Sequence, residues 1–278
     1  MEKIPFLKLN GCGNDFIIID NRNDILKNLC ISEFAKKVCK RKISVGADGL
    51  MLLEKSHTAD FKMRYFNADG SEGEMCGNGA RCISKFANMI GAAKTHMEFE
   101  TISGIYKSQI TGDKVKVDFP PVHLTNIKLN KTHNFQYKTT EYHYCLIGVP
   151  HVVILADDIN KISYEELISI GRTIRSTITL FPQGTNVNFV ELINECNIKI
   201  RTYERGVEDE TLACGTGSTA AAIVLGLLGK AKPPINVYTR GGMLKIHYKI
   251  ERDLINEINM AGEVRTVFEG EILPDAWR

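Results

Sequence analysis

Two stretches of the sequence, EMCGNGARCISKF at 74–86 and LACGTGSTAAAIV at 212–224, contain a cysteine, then Gly-x-Gly, then a run rich in small and apolar residues. Their cysteines, Cys76 and Cys214, are 138 residues apart in a chain of 278. Glycines that permit unusual backbone angles, followed by a helix-forming run, predict a loop that leads directly into an α-helix. Both cysteines are therefore expected at helix N-termini.

The surroundings of these two stretches repeat as well. Three further pairs of segments occur in the same order in both halves, at an offset of 137 or 138 residues. They are NDFIIIDN (14–21) with HVVILADD (151–158), GADGLMLLE (46–54) with GTNVNFVE (184–191), and FKMRYFN (61–67) with IKIRTYE (198–204). Self-similarity at a fixed offset predicts a duplicated unit. The two halves are expected to join at DFPP (118–121), where consecutive prolines break any regular element.

The hydrophobic pattern predicts an α+β fold. Short runs that alternate or are rich in β-branched residues, such as FIIID, FKMRYF, NVNFVEL and LKIHYKI, indicate strands. Helices are predicted at 32–41, 79–91, 163–176 and 216–228. Strands outnumber helices, which favours largely antiparallel sheets over a doubly wound parallel sheet. The segment 219–228 is apolar on all sides and is expected to be a buried central helix.

Composition excludes several classes of protein. The chain has 35 Lys and Arg against 33 Asp and Glu, a net charge of +2, without the basic stripe of a nucleic-acid-binding protein. There is no run of about 18 apolar residues and no export signal in MEKIPFLKLNG, so no membrane partner and a cytoplasmic location are expected. The eight cysteines include no Cys-x-x-Cys pair, which argues against structural zinc and a disulfide framework.

The chemistry of the repeated cysteines points to proton transfer. A cysteine at the first turn of a helix meets N–H groups and the positive end of the helix dipole, which favour the thiolate. The Gly-x-Gly that follows lets backbone N–H groups approach an anion such as a carboxylate. If the halves face each other, one thiolate can remove the α-proton of a small anionic ligand while the other thiol protonates the opposite face. There is no phosphate-loop lysine and no dinucleotide fingerprint, so neither a cofactor nor a metal is expected.

Four segments resemble the diaminopimelate epimerase family, and the likeness extends through essentially the whole chain. They are GCGNDF (11–16), NADGSEGEMCGNGARC (67–82), FPQGTNVNF (181–189) and ERGVEDETLACGTG (204–217). The resemblance implies an isomerase that works without pyridoxal phosphate and interconverts L,L- and meso-diaminopimelate for lysine and cell-wall synthesis. It implies two pseudo-symmetric domains, each a curved sheet wrapped around a central helix, with the active site in the cleft between them. The implied domains are 1–119, to which 264–278 returns, and 120–263.

The resemblance also assigns roles to individual residues. Cys76 and Cys214 correspond to the acid/base pair. Residues that correspond to substrate contacts are Asn14, Asn67, Asn186, Glu204 and Arg205, together with the carboxylate cradles Gly77, Asn78, Gly215 and Thr216. His151 and Glu204 correspond to groups that tune the protonation of the thiols. The substrate is a small amino acid, and since the family often forms dimers, a homodimer is left open.

One departure from the family keeps an alternative open. The family usually has Asn before the Pro-His pair, whereas this chain has Val149. That Asn helps to hold the distal polar end of diaminopimelate, so its loss favours a racemase of another amino acid, for example histidine, on the same scaffold. The retained Glu204 and Arg205 favour diaminopimelate. A third alternative is a non-catalytic thiol protein that binds metal or senses redox state through its eight cysteines.

Overall fold

The computed structural model describes residues 3–135 and 138–278. The chain divides into two compact units, one formed by Met1–Asp118 with Ala261–Arg278 and the other by Phe119–Met260. Residues 1–2 of the predicted domain 1–119, and residues 136–137 of the predicted domain 120–263, lie outside the described residues.

The described elements are nineteen strands and four α-helices, with short 3-10 turns between some of them. The elements up to residue 118 are β1 (Ile4–Gly11), β2 (Asn14–Asp20), α1 (Ile31–Val38), β3 (Gly49–Glu54), β4 (Phe61–Asn67), β5 (Glu72–Gly73), α2 (Gly77–Met89), β6 (His96–Thr101), β7 (Gly104–Thr111) and β8 (Lys114–Asp118). The elements that follow are β9 (Val122–His123), β10 (Ile127–Phe135), β11 (Lys138–Ile147), β12 (Val149–Leu155), α3 (Tyr164–Arg175), β13 (Asn186–Asn194), β14 (Asn197–Glu204), β15 (Asp209–Thr211), α4 (Gly215–Leu227), β16 (Ile235–Thr239), β17 (Gly242–Glu251), β18 (Leu254–Glu263) and β19 (Arg265–Ile272).

The two units have the same strand pairing. In the first, β19, β1 and β2 are antiparallel neighbours, β2 is parallel to β3, β4 is parallel to β6, and β7 continues the sheet. In the second, β10, β11, β12, β13, β14, β16 and β17 pair in the same order with the same directions. Each parallel pair is joined by a crossover that contains a helix, as parallel pairing requires. The predicted α+β fold with a repeated, mostly antiparallel sheet is confirmed.

A central helix fills each sheet. Helix α2 contacts β1, β2, β3, β7 and β8, and helix α4 contacts β11, β12, β13, β14, β16 and β17. Ten of the thirteen residues of each helix are buried. The sheet therefore wraps around the helix, and burial on all sides explains why residues 220–225 of α4 are all apolar. Helices α1 and α3 are amphipathic and bury only one face.

Helix boundaries differ from the prediction by one to three residues. Helix α1 was expected to reach residue 41 but ends at Val38, and Lys42 has φ of 69°. The helix is capped at Cys39, and the Arg41 side chain bonds to Asp15 and Asp48. Helices α2 and α4 begin at Gly77 and Gly215 because the preceding cysteine is the N-cap residue in each case. None of the helices in the described parts of the chain is long and apolar enough to cross a membrane.

Candidate active site

Cys76 is the N-cap residue of α2. Its backbone is extended, and its Sγ accepts a hydrogen bond from the Gly79 N–H at 3.5 Å. The residue is half-buried. An N-cap side chain satisfies one of the N–H groups that have no acceptor within the helix, and a thiolate is a stronger acceptor than a thiol. The first turn of α2 therefore supplies a hydrogen-bond donor to the sulfur of Cys76.

Cys214 has the same position at the start of α4. Its Sγ accepts a hydrogen bond from the Gly217 N–H at 3.4 Å and lies 3.6 Å from the Thr216 hydroxyl oxygen. Its side chain is buried. The duplication seen in the sequence thus extends to the hydrogen bond that caps each sulfur.

The second glycine of each Gly-x-Gly is required by packing. A Cβ atom at Gly79 would lie 1.7 Å from Met51 Cε, and one at Gly217 would lie 2.4 Å from Asn188 Oδ1. These glycines let the first helical turn rest directly on β3 and β13. The two turns contact different side chains. The first turn of α2 lies against the thioether of Met51, and the first turn of α4 lies against the amide of Asn188.

Asn14 and Asn78, two predicted substrate contacts, lie together beside Cys76 in the first unit. Asn78 Nδ2 donates to Asn14 Oδ1 at 2.5 Å, and Asn14 Nδ2 donates to Asp48 Oδ2 at 3.1 Å. Arg81 Nη2 donates to Asn78 Oδ1 at 3.0 Å, and Arg81 is fully buried. Sequence analysis missed Arg81 and Asp48. The signal for Arg81 is a charged residue within the buried segment GNGARC.

Asn67 builds a turn at the end of β4. The Tyr65 hydroxyl donates to Asn67 Oδ1 at 2.7 Å, and Asn67 Nδ2 donates to Ser71 Oγ at 3.0 Å. The Asn67 carbonyl also accepts from the Gly70 N–H. These contacts hold the turn that leads to β5, and a contact between Asn67 and the substrate stays a prediction.

The predicted contacts of the second unit meet at β12 and β13. His151 and Asn186 are register partners in this parallel pair. Asn186 Oδ1 accepts from the Arg205 N–H at 2.8 Å, which fixes the backbone next to Glu204. The Arg205 guanidinium donates to the carbonyl of Gln183 at 2.7 Å. The structure therefore brings His151, Asn186 and Arg205 together.

Glu204 is half-buried at the end of β14. Its Oε2 accepts a hydrogen bond from the Thr211 hydroxyl at 2.9 Å, and its backbone carbonyl accepts from the Glu208 N–H. Thr211, three residues before Cys214, was not selected from the sequence. The contact orients the carboxylate of Glu204 relative to the strand β15.

His151 is completely buried and neutral. Burial, and to a smaller extent the nearby positive charge of Arg205, lower the pKa of His151 to about 3. His151 Nδ1 lies 3.3 Å from Nδ2 of Asn188, a buried residue that sequence analysis missed. An imidazole in this environment influences neighbouring groups as a hydrogen-bonding dipole and not as a cation.

Other cysteines are buried in the core. Burial raises the pKa of Cys39 to about 12 and the pKa of Cys145 to about 12. Burial also raises the pKa of Cys82 and of Cys12. These thiols stay protonated at neutral pH and act as apolar packing groups.

One cleft of the second unit lies away from the predicted site residues. It has a volume of about 840 Å³, and residues such as Ile159, Lys199, Tyr238 and Arg240 line it. None of the predicted site residues lines this cleft. Within residues 3–135 and 138–278, no group of three or more His, Cys, Asp or Glu side chains is placed to hold a metal ion.

The fold is that of a known group of solved structures. A phenazine biosynthesis protein of the PhzF family from Bacillus anthracis aligns with a TM-score of 0.73 at 18% identity, over 98% of this chain and all of that one. A probable proline racemase from Agrobacterium radiobacter aligns with a TM-score of 0.72 at 15% identity, over 99% of this chain and 95% of that one. The chain thus has the pseudo-symmetric two-domain fold of the PhzF and proline racemase structures.

Comparison of sequences identifies the family within this fold. The sequence model described as diaminopimelate epimerase matches residues 6–125 and 143–267. Relatives named diaminopimelate epimerase include one from Aquifex aeolicus, 43% identical over 97% of this chain and 98% of its own, and one from Methanocella arvoryzae, 42% identical over 98% of both chains. The chain belongs to the diaminopimelate epimerase family. It is an isomerase, and the alternative of a non-catalytic thiol protein is wrong.

Proposed function

We propose that the protein converts L,L-diaminopimelate to meso-diaminopimelate, without pyridoxal phosphate, with Cys76 and Cys214 as its acid/base pair. The main support is that each unit contributes one cysteine N-cap with the same sulfur contact to the first helical turn, at 3.5 Å and 3.4 Å. Membership of the family supports the choice of substrate, because the relatives are named for diaminopimelate. The product would serve lysine and peptidoglycan synthesis.

The proposed reaction moves one proton off the α-carbon and another onto it. The thiolate of one cysteine removes the α-proton, and the electron pair of the C–H bond passes into the adjacent carboxylate. The thiol of the other cysteine then donates its proton to the opposite face of the carbon, so that the configuration is inverted. Backbone N–H groups of the first turns, at Gly77 and Asn78 and at Gly215 and Thr216, stabilise the charge that develops on the carboxylate. The two sulfurs exchange protonation states in each turnover.

The proposal assigns one of the two reacting cysteines to each domain. The proposed domains are 1–119 with 264–278, and 120–263, and each would supply one thiol and one carboxylate cradle. The division of the chain into the units Met1–Asp118 with Ala261–Arg278, and Phe119–Met260, supports this part of the proposal. The remaining substrate contacts in the proposal are Asn14, Asn67, Asn186, Glu204 and Arg205, with His151 and Glu204 tuning the thiols. An aqueous thiol is a weak base for an α-proton, so domain closure that excludes water belongs to the same proposal.

A second candidate is a racemase of another amino acid. Val149 follows Gly148, which has φ of 68°, and begins β12 with a half-buried aliphatic side chain. This side chain cannot donate or accept the hydrogen bond that an Asn would make with a distal polar group. The observation favours a substrate whose distal end is less polar than that of diaminopimelate.

One assay separates the candidates. The purified protein is incubated in D₂O with L,L-diaminopimelate, and separately with a panel of L-amino acids that includes histidine. Formation of meso-diaminopimelate with one deuterium at the inverted carbon supports the proposal. Inversion of a different amino acid, with diaminopimelate unchanged, supports the second candidate, and no α-exchange in any substrate contradicts both.

Four cysteine variants test the proposed pair. Cys76→Ser and Cys214→Ser should each lower kcat by about 10²- to 10⁴-fold, the range expected for loss of a positioned acid or base. Cys30→Ser and Cys196→Ser alter exposed thiols and are the matched controls, with kcat expected to stay within about twofold. Full activity in either of the first two variants would exclude that residue from the reaction.

The quaternary state and location complete the proposal. We expect a homodimer, since the family often forms dimers, and we propose a cytoplasmic location. Light scattering coupled to size-exclusion chromatography gives the mass in solution against the 31.1 kDa of one chain. Cell fractionation checks the location.

A further inference from the structure

Asn188 lies directly beneath the first turn of α4. It is fully buried on β13, and a Cβ atom at Gly217 would approach its Oδ1 to 2.4 Å. The Gly217 N–H donates the hydrogen bond to Cys214 Sγ, the N-cap of α4, at 3.4 Å. Asn188 therefore contacts the backbone that supports the sulfur proposed to act in catalysis.

Hydrogen bonds fix the orientation of the Asn188 amide. Its Oδ1 accepts from the Thr202 hydroxyl at 2.9 Å, and its Nδ2 donates to the carbonyl of Val152 at 2.8 Å. A carbonyl oxygen can only accept, so the atom that faces Val152 must be the NH₂ group. The amide has one orientation consistent with both contacts.

This orientation determines the tautomer of His151. The same Nδ2 lies 3.3 Å from His151 Nδ1, and an amide NH₂ group can donate but not accept. His151 Nδ1 must therefore be the acceptor, and the single proton of the neutral ring is on Nε2. Nε2 is buried and has no hydrogen-bond partner in the described parts of the chain.

A buried donor without an acceptor costs free energy, commonly about 1–3 kcal/mol. An unpaired buried polar group calls for an explanation, and a ligand or water that completes the hydrogen bond is one. A neutral Nε2–H can donate a hydrogen bond to an acceptor that enters with the substrate. The neutral ring does not act as an acid, so it does not replace the thiols as the proton donor. Protonation of Nδ1 would direct an N–H at the NH₂ group of Asn188 and is therefore opposed.

We infer that Asn188 is a positioning residue for the epimerisation proposed above, on which this inference rests. It holds His151 as the neutral Nε2–H tautomer and supports the Gly217 N–H that caps Cys214. The corresponding support in the first unit is Met51, beneath Gly79, whose side chain has no amide. The two thiols therefore have unequal surroundings although the chain is duplicated.

The tautomer is measured by long-range ¹H–¹⁵N correlation spectra of protein labelled with ¹⁵N-histidine. The signal of His151 is assigned from its loss in His151→Gln. In the wild type it should show a proton on Nε2 and none on Nδ1 at neutral pH. In Asn188→Asp a carboxylate oxygen replaces the NH₂ group, and the proton should move to Nδ1 or both nitrogens should be protonated. In Asn188→Leu the preference should be lost.

His143 is an internal control in the same spectra. Its Nδ1 accepts from the Asn130 N–H at 3.0 Å, so it should also be protonated at Nε2. Asn188 does not bond to it, and its signals should be the same in all variants. A change at His143 that matches the change at His151 would mean that the domain has been disturbed as a whole and would overturn the inference.

Kinetics give the second measurement. Asn188→Leu should lower kcat by about 10- to 100-fold with KM changed less than about threefold, as for loss of a group that orients a reacting side chain. Thr202→Val removes one bond to Oδ1 but leaves Nδ2 in place, and kcat should fall less than about threefold. An Nδ1–H tautomer in the wild type, or Asn188→Leu with an unchanged tautomer and kcat, would overturn the inference.

The two proposals fail in different ways. If the wild type inverts no amino acid while its His151 spectrum is as expected, the proposed function fails and the tautomer assignment stands. If Asn188→Asp does not fold, as judged by circular dichroism, the wild-type spectrum and Asn188→Leu still decide the assignment.

Discussion

The side chains of Asn78 and Asn14 are joined by a hydrogen bond of 2.5 Å across 64 residues of sequence. Asn78 belongs to the first turn of the central helix, and Asn14 begins a strand of the sheet that wraps around it. The fully buried Arg81 donates from Nη2 to Asn78 Oδ1 at 3.0 Å. These bonds hold both amides in one orientation, and if the amides contact the substrate as proposed, this order reduces the entropy lost on binding.

Loss of Arg81 should weaken both the fold and this orientation. Arg81→Met keeps an unbranched side chain but removes a charged donor to Asn78 Oδ1, and should lower the free energy of unfolding by about 1.5–3 kcal/mol. KM for the amino-acid substrate should rise, because Asn78 and Asn14 lose their fixed orientation. Urea denaturation and steady-state kinetics measure the two effects. Arg265→Met, at an exposed position, is the control, and equal behaviour of the two variants would refute this role.

Gly79 and Gly217, whose N–H groups donate to the cysteine sulfurs, should differ in their tolerance of a methyl group. In Gly79→Ala the new atom meets the terminal methyl of Met51, which can rotate away. In Gly217→Ala it meets the Asn188 amide, which is held by hydrogen bonds to Thr202 and Val152. Gly217→Ala should therefore be less stable by about 1–3 kcal/mol, and Gly79→Ala should lose less. Thermal unfolding of both variants tests the order, and the reverse order would contradict it.

His151 should make stability depend on pH in mildly acidic solution. Its pKa is lowered from 6.5 in the unfolded chain to about 3 in the fold, mainly by burial and then by Arg205. Between these values the unfolded chain binds a proton that the folded chain does not, so stability is lost as pH falls, by at most about 1.4 kcal/mol per pH unit. Burial also lowers the pKa of His143, which contributes in the same direction.

His151→Gln isolates the contribution of one group. Its free energy of unfolding, measured with urea at pH 6.5 to 5, should fall less steeply than that of the wild type. His57→Gln, at an exposed histidine, should leave the slope unchanged. The same slope in wild type and His151→Gln would show that the buried ring is protonated in the folded state.

Val149→Asn tests the basis of substrate choice. If diaminopimelate is the substrate, a restored hydrogen bond to its distal end should raise kcat/KM, and about 1–2 kcal/mol corresponds to a gain of about 5- to 30-fold. Val149→Thr, a smaller polar replacement of similar shape, is the control for polarity alone. Loss of activity toward diaminopimelate in Val149→Asn would favour the second candidate substrate.

Local patterns predicted the elements that contain the site. The repeated Cys-Gly-x-Gly, followed by small and apolar residues, was sufficient to predict both helix N-termini to within two residues. The sequence did not predict strands β1, β7, β10, β18 and β19, nor the short strands β5, β9 and β15. In β10 and β19 only one residue each is buried, so their sequences contain no repeated apolar position. In β19 only Ile272 is buried, and β19 is positioned by pairing with β1 at the other end of the sequence.

The supporting residues of the site depend on contacts that no local pattern records. Arg81 and Asn188 are polar residues within mostly buried segments, and their partners Asn78 and Thr202 are identified only by the folded geometry. Without the family resemblance, the local pattern would not distinguish Asn188 from Asn186, which lies two residues away on the same strand. The family resemblance identified the residues expected at the substrate, whereas the residues that hold them required coordinates.

The antiparallel pairing of Ile4 with Ile272 affects how the chain is assembled on the ribosome. The unit formed by Phe119–Met260 is contiguous, so its whole sequence emerges before β19 does. The other unit needs β19 to cover the edge of β1, and that strand follows the whole of Phe119–Met260 in the sequence. The unit whose synthesis begins first therefore completes its sheet after the other, and the edge of β1 stays available to chaperones until β19 has emerged.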